Sequence, residues 1–188
     1  MIGNDVVDLQ LAETQSNWQR KGFLEKQFSL KEQHNILEAK NSFLRVWLFW
    51  SMKEAAYKCY TQQYEKRFFA PQKFVCKLIS EHEGIVCFEG NEFYTTTFFD
   101  RSYVYTIATD TQKETSVFSS IGSPKTIDLD IKIKLEEETG ISYKEIIQRK
   151  TPIGAPLYFH KDKLLTNSCS ISHHGNYGAF AFMIEDEY

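Results

Sequence analysis

The chain has 188 residues, of which 42% are hydrophobic and 15% aromatic, and a formal net charge of −3 at pH 7. This length predicts one domain or two small halves with a shared core, and the hydrophobic fraction suits an ordinary globular protein. The weakly acidic balance argues against general nucleic-acid binding. Residues Met1 to Asp5 lack the features of a signal peptide, and no apolar run approaches the roughly 18 residues of a membrane span. We therefore expect a soluble, cytoplasmic protein.

The cysteines are scattered, at Cys59, Cys76, Cys87 and Cys169. Because no C-x-x-C pair occurs, neither a zinc site nor a disulfide framework is indicated. We interpret them as thiols that pack as small hydrophobic side chains in a reducing compartment.

The amino-terminal residues predict a strand that contains two carboxylates. Ile2 to Leu9 is largely apolar, and Asp5 and Asp8 interrupt it. An aspartate in a buried strand is costly unless it is paired or binds a metal. The alternative is that Asp5 caps a turn after Gly3, so its role stays open at this point.

Two helical regions follow this strand. Apolar residues recur at helical spacing from Ser16 to Lys40, where Ser29 and Glu32 have the pattern of a capping box. From Asn41 to Tyr64, no glycine or proline interrupts a segment rich in helix formers. This second region predicts one long helix.

Lys53, Glu54 and Lys58 are the charged residues of interest on this long helix. Glu54 and Lys58 are one turn apart on the same face, and Lys53 lies about 100° further round the axis. A pair with this spacing is commonly a solvated surface pair, but residues 43–50 just upstream are apolar except for one arginine. A helix this apolar is largely buried, so its charged pair needs a partner or a task, such as holding a metal and a phosphate.

A series of short strands is predicted after the long helix. The strands of this meander are expected at Phe74–Ile79, Gly84–Phe88, Phe93–Phe99 and Tyr103–Thr109. The polar stretch from Asp110 to Ser116 is typical of a connector.

The last third of the chain predicts further strands and one helix. Ile127 to Leu135 alternates as a half-exposed strand does. Ser142 to Gln148 predicts a short helix with Ile146 and Ile147 directed inward. The chain then ends in a hairpin with its turn at Gly175.

Three separated parts of the chain resemble the motifs of the 4′-phosphopantetheinyl transferases, enzymes that move phosphopantetheine from coenzyme A onto a carrier-protein serine. Ile2 to Asp8 (IGNDVVD) resembles the amino-terminal metal motif, and Trp50 to Lys58 (WSMKEAAYK) resembles the W-S-x-K-E-x-x-x-K helix. Gly154 to Pro156 and Ser170 to His173 resemble the G-x-P and S-x-S-H elements. Each pattern is short, but all of them together are specific.

The order of these motifs resembles that of the small holo-acyl-carrier-protein-synthase members, in which the metal motif comes first and S-H last. Those members are similar to a single half and assemble as trimers, whereas larger members carry two related halves. Residues 1–112 resemble the second half of the larger type, and residues 113–188 resemble a shortened first half. The resemblance implies an α+β fold, with an antiparallel sheet packed against a long helix, as a monomeric pseudo-dimer or a homotrimer.

The implied activity is transfer of 4′-phosphopantetheine from coenzyme A to a serine of an apo-acyl or apo-peptidyl carrier protein, with Mg²⁺ as cofactor. By resemblance, Asp5 and Glu54 bind the metal, as hard carboxylates suit Mg²⁺. Glu54, or a water held by the metal, takes the proton of the serine. Lys58 pairs with a phosphate and assists the leaving group.

The remaining implied binding residues come from both halves of the chain. Ser172 and His173 would contact the phosphates of coenzyme A. Lys53 is a further expected coenzyme A-binding residue; the alternative is that it lies along the helix with its ammonium in water. Because one coenzyme A must meet both sets of residues, we expect Glu54 and His173 of one chain on opposite walls of one pocket.

Two residues depart from the family pattern. Val7 stands where the larger members have an acid, so water is the expected third metal ligand, and Asp8 should face the opposite side of the strand. Ala155 stands where the family often has a basic residue that meets the 3′-phosphate of coenzyme A. Another cation must take this role, and the sequence does not choose between Lys161 and Lys163.

The alternative function is a catalytically silent module of the same fold, which docks acyl carrier protein without transfer. The intact metal and helix motifs speak against it, because a silent member has no need for a buried metal site. The sequence leaves open whether fatty-acid, polyketide or peptide synthesis is served.

Overall fold

The structure is a computed structural model that describes residues 1–68, 70–112 and 116–184. Within these residues the chain has an α+β fold, as the sequence predicts. The helices are α1 Leu9–Gln15, α2 Phe23–Gln27, α3 Leu30–Glu38, α4 Ser42–Tyr64 and α5 Ile127–Thr139. The strands are β1 Ile2–Asp8, β2 Val75–Leu78, β3 Glu83–Phe88, β4 Asn91–Phe99, β5 Tyr103–Thr109, β6 Val117–Gly122, β7 Ile146–Lys150, β8 Pro156–His160, β9 Lys163–Leu164, β10 Thr166–His174 and β11 Tyr177–Ile184. None of the described helices is long and apolar enough to cross a membrane.

The long helix α4 and a five-stranded antiparallel sheet form the larger core. The strand order is β1-β5-β4-β3-β2, so the predicted meander is confirmed and β1 pairs with its last strand. Asn41 caps α4 by accepting from the backbone N–H of Leu44, and Glu65 ends the helix in the left-handed region. The buried residues of α4 include Trp47, Leu48 and Phe49. The helix packs against β1 and β5 on one side and α3 on another, and the burial of its apolar side chains removes apolar surface from water.

Gly3 allows β1 to lie directly against α4. A Cβ atom at this position would stand 2.0 Å from the carbonyl oxygen of Ala55 and 2.6 Å from the amide nitrogen of Cys59. Both are backbone atoms of a helix and cannot move aside, so only glycine fits. This close approach places the residues after Gly3 next to the side chains of α4.

The carboxyl-terminal part of the described chain contributes two three-stranded sheets, with orders β10-β11-β6 and β7-β8-β9. The predicted final hairpin is confirmed as β10 and β11, and Gly175 between them has φ +57°. The predicted connector from Asp110 to Ser116 includes residues 113–115, which lie outside the described residues. The division of the chain at residue 112 adjoins the same gap and stays a prediction.

The predicted strand from Ile127 to Leu135 is wrong, because these residues form the helix α5. Apolar residues occupy every second position there, a pattern that contains helical spacing as well as strand spacing. The helix buries the positions four apart, Ile127, Ile131 and Leu135. Leu129 and Ile133 are 43% and 40% exposed, so the apolar residues between the buried ones face away from the core.

The predicted helix from Ser142 to Gln148 is also wrong. A 3-10 turn at Tyr143–Glu145 leads into the strand β7, which pairs with β8. Ile146 is 3% exposed and Ile147 is 51% exposed. The two isoleucines therefore alternate across a strand and are not both directed inward.

The two parts of the chain are joined at the outer edge of β1. Three backbone N–H groups on this edge donate to side chains of β10. The three pairs are Ile2 to Ser168 at 2.9 Å, Asn4 to Ser170 at 3.0 Å and Asp8 to His174 Nδ1 at 3.0 Å. Alternate side chains of β10 thus satisfy an edge that would otherwise be left unpaired in the interior.

Candidate functional site

Asp5 and Lys58 meet where β1 crosses α4. Lys58 Nζ donates to the carbonyl oxygen of Asn4 at 2.8 Å and lies 3.4 Å from Asp5 Oδ1. The Ser51 hydroxyl donates to the Asp5 carbonyl at 3.2 Å. Asp5 pairs with Thr106 in the middle of the β1–β5 ladder, so the alternative that it caps a turn is wrong.

Asp8 is the aspartate of this motif that acts as a cap. Its Oδ1 accepts from the N–H of Leu11 at the start of α1, and its Oδ2 accepts from the N–H of Asn176 at 3.0 Å. A Cβ atom at Gly175 would come within 2.3 Å of Asp8 Oδ2. Asp8 therefore ties the β10–β11 turn to α1 and points away from Asp5, as the sequence predicts.

Glu54 completes a cluster of two carboxylates and one ammonium. It is half-buried one turn before Lys58, and no described residue makes a hydrogen bond or ion pair with its carboxylate. Burial raises the pKa of Glu54, and the nearby Lys58 charge opposes this rise. The raised pKa makes this carboxyl a better proton acceptor than an ordinary glutamate.

Burial also dominates the electrostatics of Asp5. It raises the pKa of this carboxyl to about 7; Lys58 lowers the pKa and the neighbouring charge of Glu54 adds to the rise. Asp5 Oδ2 is buried without a hydrogen-bond partner. A buried carboxylate with an unsatisfied oxygen, whose pKa is raised further by a second carboxylate nearby, favours the addition of a cation.

The donor set fits a magnesium ion held by few protein ligands. No group of three or more His, Cys, Asp or Glu side chains is placed to share a metal within the described ranges. Asp5 and Glu54 remain as two carboxylates, and Val7 beside them offers no ligand. Mg²⁺ is usually bound by one or two carboxylates with water and substrate phosphates in the other positions, so the two residues suffice.

His173 shares a cavity with Asp5. This cavity of about 320 Å³ lies between β1, the hairpin end of β10 and α4, with Trp47 and Trp50 on its apolar side. Residues from both parts of one chain therefore do meet, as expected. The prediction that Glu54 and His173 line one pocket is wrong, because Glu54 faces a separate cavity of about 140 Å³ beside Tyr57.

Ser172 lies next to His173 but is not part of this cavity wall. Its Oγ is buried and has no hydrogen-bond partner. By strand alternation it faces β1, like Ser170 and His174. Its proposed contact with a ligand is therefore not supported by its place in the strand.

Lys53 belongs to the core and not to a binding site, which corrects both interpretations of this residue. It is 1% exposed, and its ammonium lies 2.9 Å from Glu32 Oε1 and also donates to the carbonyl oxygens of Pro71 and Phe74. These partners use all three N–H groups. Glu32 also accepts from Cys76 N, in β2, at 2.8 Å. The Lys53–Glu32 ion pair therefore connects α3 and α4 to β2.

A third cavity is lined by Lys58 and does not include Asp5. It has a volume of about 170 Å³ and is lined by Lys58, Arg67, Ser170 and the turn from Gly154 to Pro156, among others. The G-x-P and helix motifs are thus brought together around one space. No motif singles out Arg67, because it lies in the loop after α4, 86 residues before Ile153, whose carbonyl oxygen it contacts.

The chain is similar to known proteins in sequence and in structure. A family model described as the 4′-phosphopantetheinyl transferase superfamily matches residues 1–108. Among solved structures, the chain is similar to the holo-[acyl-carrier-protein] synthase AcpS of Thermotoga maritima, with 11% identity and a TM-score of 0.43 over 85% of this chain and 82% of that one. No curated protein matches the sequence.

Proposed function

Because the chain belongs to the 4′-phosphopantetheinyl transferase superfamily, we propose that it transfers 4′-phosphopantetheine from coenzyme A to a serine of an apo-carrier protein in a Mg²⁺-dependent reaction. The observation that carries this proposal is the cluster of Asp5, Glu54 and Lys58. Its buried Asp5 oxygen without a partner and its adjacent ammonium suit a metal and a phosphate side by side.

The reaction breaks the pyrophosphate of coenzyme A. The serine hydroxyl oxygen forms a bond to the phosphorus that carries pantetheine, the bond to the bridging oxygen breaks, and adenosine 3′,5′-bisphosphate leaves. When bound by Asp5 and Glu54, Mg²⁺ would supply neutralisation of the pyrophosphate charge.

The residues of the chain have separate tasks in this proposal. Glu54 accepts the proton of the serine hydroxyl, since its carboxylate has no other described partner and its pKa is raised by burial. Lys58 holds a phosphate oxygen while its contact with the Asn4 carbonyl keeps the ammonium in place. His173 is exposed and lines the cavity of about 320 Å³ together with Asp5. There it can donate a hydrogen bond to an oxygen of coenzyme A.

A transfer assay tests the proposal directly. The purified chain is incubated with coenzyme A and apo-carrier proteins of the fatty-acid, polyketide and peptide classes, and the carrier is weighed by mass spectrometry. We expect one phosphopantetheine added per carrier serine, only when Mg²⁺ is present. A carrier that binds the chain but is never modified, with any class and at any magnesium concentration, would instead identify the silent docking module.

A further inference from the structure

We propose that the cavity between Lys58 and the Gly154 turn binds a phosphate group of the donor, with Arg67 as its main cation. This inference rests on the proposed function, which supplies the donor. It adds a residue outside the family motifs. Three features of the cavity support it, namely the charge of its wall, the free hydrogen-bond donors beside it and the geometry of the Gly154 turn.

The charged residues that line this cavity are both cations. Lys58 and Arg67 contribute to its wall, and no carboxylate of the described residues does. Lys58 shares its charge with Asp5 at 3.4 Å, whereas Arg67 has no ion-pair partner within the described parts of the chain. The excess positive charge of the cavity is therefore carried by Arg67.

Two polar side chains at this cavity, Arg67 and Ser170, have hydrogen-bond donors that no described group uses. One N–H of Arg67 donates to the carbonyl oxygen of Ile153, which leaves four of the five guanidinium N–H groups for a ligand. Ser170 Oγ accepts from Asn4 N, and no described group accepts its hydroxyl hydrogen. A guanidinium with several free donors matches the oxygens of a phosphate.

The Gly154 turn holds the guanidinium in place. Gly154 has φ +85°, and a Cβ atom there would lie 3.0 Å from Arg67 Nη2. The absence of a side chain lets the guanidinium lie against the turn. The next residue, Ala155, is too short to carry a charge into the cavity, so a cation from the loop after α4 takes that place.

Coenzyme A offers two sources of phosphate to this cavity. One is the pyrophosphate that reacts, and the other is the 3′-phosphate on its ribose. Since Asp5, Glu54 and Lys58 already form a site for the pyrophosphate, the structure favours the 3′-phosphate for Arg67. Both sources present the same oxygen chemistry, so the experiment has to separate them.

The test is a binding titration with coenzyme A and with 3′-dephospho-coenzyme A, in the presence of Mg²⁺ and without a carrier. Arg67→Gln removes the charge but keeps an amide N–H for the Ile153 carbonyl, and Arg67→Lys keeps the charge. Lys66→Gln is the matched control, because it removes a neighbouring exposed cation that does not line the cavity. We expect Arg67→Gln to weaken coenzyme A binding roughly tenfold or more, the scale of a charge-assisted hydrogen bond.

Comparison of the two ligands shows which phosphate of coenzyme A Arg67 binds. A loss for coenzyme A alone assigns Arg67 to the 3′-phosphate, and an equal loss for both ligands, with partial recovery in Arg67→Lys, assigns it to the pyrophosphate. Unchanged affinity of Arg67→Gln for both ligands would overturn the inference, as would an equal loss in Lys66→Gln. Because binding is measured without transfer, an inactive protein that still shows the Arg67 effect would count against the proposed function only.

Discussion

Asp5 and Lys58 face each other across the contact of β1 and α4, with 3.4 Å between Oδ1 and Nζ. Lys58 also holds the carbonyl oxygen of Asn4, so its position depends on the strand as well as on its own helix. Gly3 makes this possible, because any side chain there would push β1 away from the helix backbone. The glycine of the motif thus lets the strand lie against the helix, and this approach brings the Asp5 carboxylate to Lys58.

The first prediction concerns Glu54. Glu54→Gln should reduce the transfer rate by about 10²-fold or more, because it removes the carboxylate that we propose as proton acceptor and metal ligand. The measurement is the rate of carrier modification at saturating Mg²⁺. Glu13→Gln on the exposed side of α1 is the control and should keep normal activity. Near-normal turnover of Glu54→Gln would refute its assignment as base and ligand.

The sequence was sufficient for the amino-terminal strand, the long helix and the strand meander, because each depends on local pattern. It failed for α5, where apolar residues at every second position satisfy helix and strand alike, and only the packing decides. It also failed for Lys53, because its ion-pair partner Glu32 lies on a different helix and local sequence pattern does not predict this contact. Arg67 was missed for a similar reason: its contact is with a turn far along the chain.

The second prediction tests the structural role of Lys53. Lys53→Met should lower the free energy of unfolding by about 3–5 kcal/mol, because it leaves the carboxylate of Glu32 buried without its cation. Urea unfolding measures this loss. Lys134→Met is the matched control, since it breaks an exposed pair with Glu137 and should change stability little.

Affinity for coenzyme A separates the two roles of Lys53. Below the unfolding transition, Lys53→Met should bind coenzyme A as the unchanged protein does. A selective loss of coenzyme A affinity with normal stability would show that Lys53 takes part in coenzyme A binding.

The third prediction concerns the edge of β1. Ser168 Oγ accepts from Ile2 N at 2.9 Å and donates to Gln62 Oε1 at 2.9 Å, and the residue is 1% exposed. Ser168→Ala leaves both groups unsatisfied and should cost about 1–3 kcal/mol of stability. Thermal and urea unfolding measure the effect, with the exposed Ser120→Ala on β6 as control. Equal stability of the two variants would mean that β1 does not depend on side chains of β10.

The fourth prediction uses the pKa of Asp8. Burial alone would raise this pKa, but the N–H donors of Asn176, Leu11 and Gln10 outweigh it and hold the pKa below its ordinary value of 3.8. A lowered pKa in the folded state stabilises the protein above the unfolded pKa, and this contribution is lost as pH falls through the folded pKa. Asp8→Asn has one acceptor oxygen instead of two and lacks the charge. It should therefore be less stable at pH 6, by about 1–3 kcal/mol.

The pH dependence distinguishes the charge from a packing effect. The difference between Asp8→Asn and the unchanged chain should shrink from pH 6 to pH 3 in urea unfolding, because below about pH 3.8 this carboxyl binds a proton more readily in the unfolded chain than in the folded one. The exposed Asp162→Asn should show no such trend. A difference for Asp8→Asn that stays constant down to pH 3 would contradict the prediction.

The last prediction is that one chain provides a complete site. Asp5 and His173 line the same cavity within one chain, and the β10 side chains fix this arrangement by binding the edge of β1. Mixing Glu54→Gln chains with His173→Ala chains should therefore not restore transfer, because each chain carries its own defect. The controls are mixtures of either variant with unchanged chains. Their activity should be proportional to the fraction of unchanged chain, which shows how much activity a given number of complete sites produces. Activity in the doubly variant mixture well above the sum of its parts would show that His173 of one subunit serves Glu54 of another, and the single-chain site would be refuted.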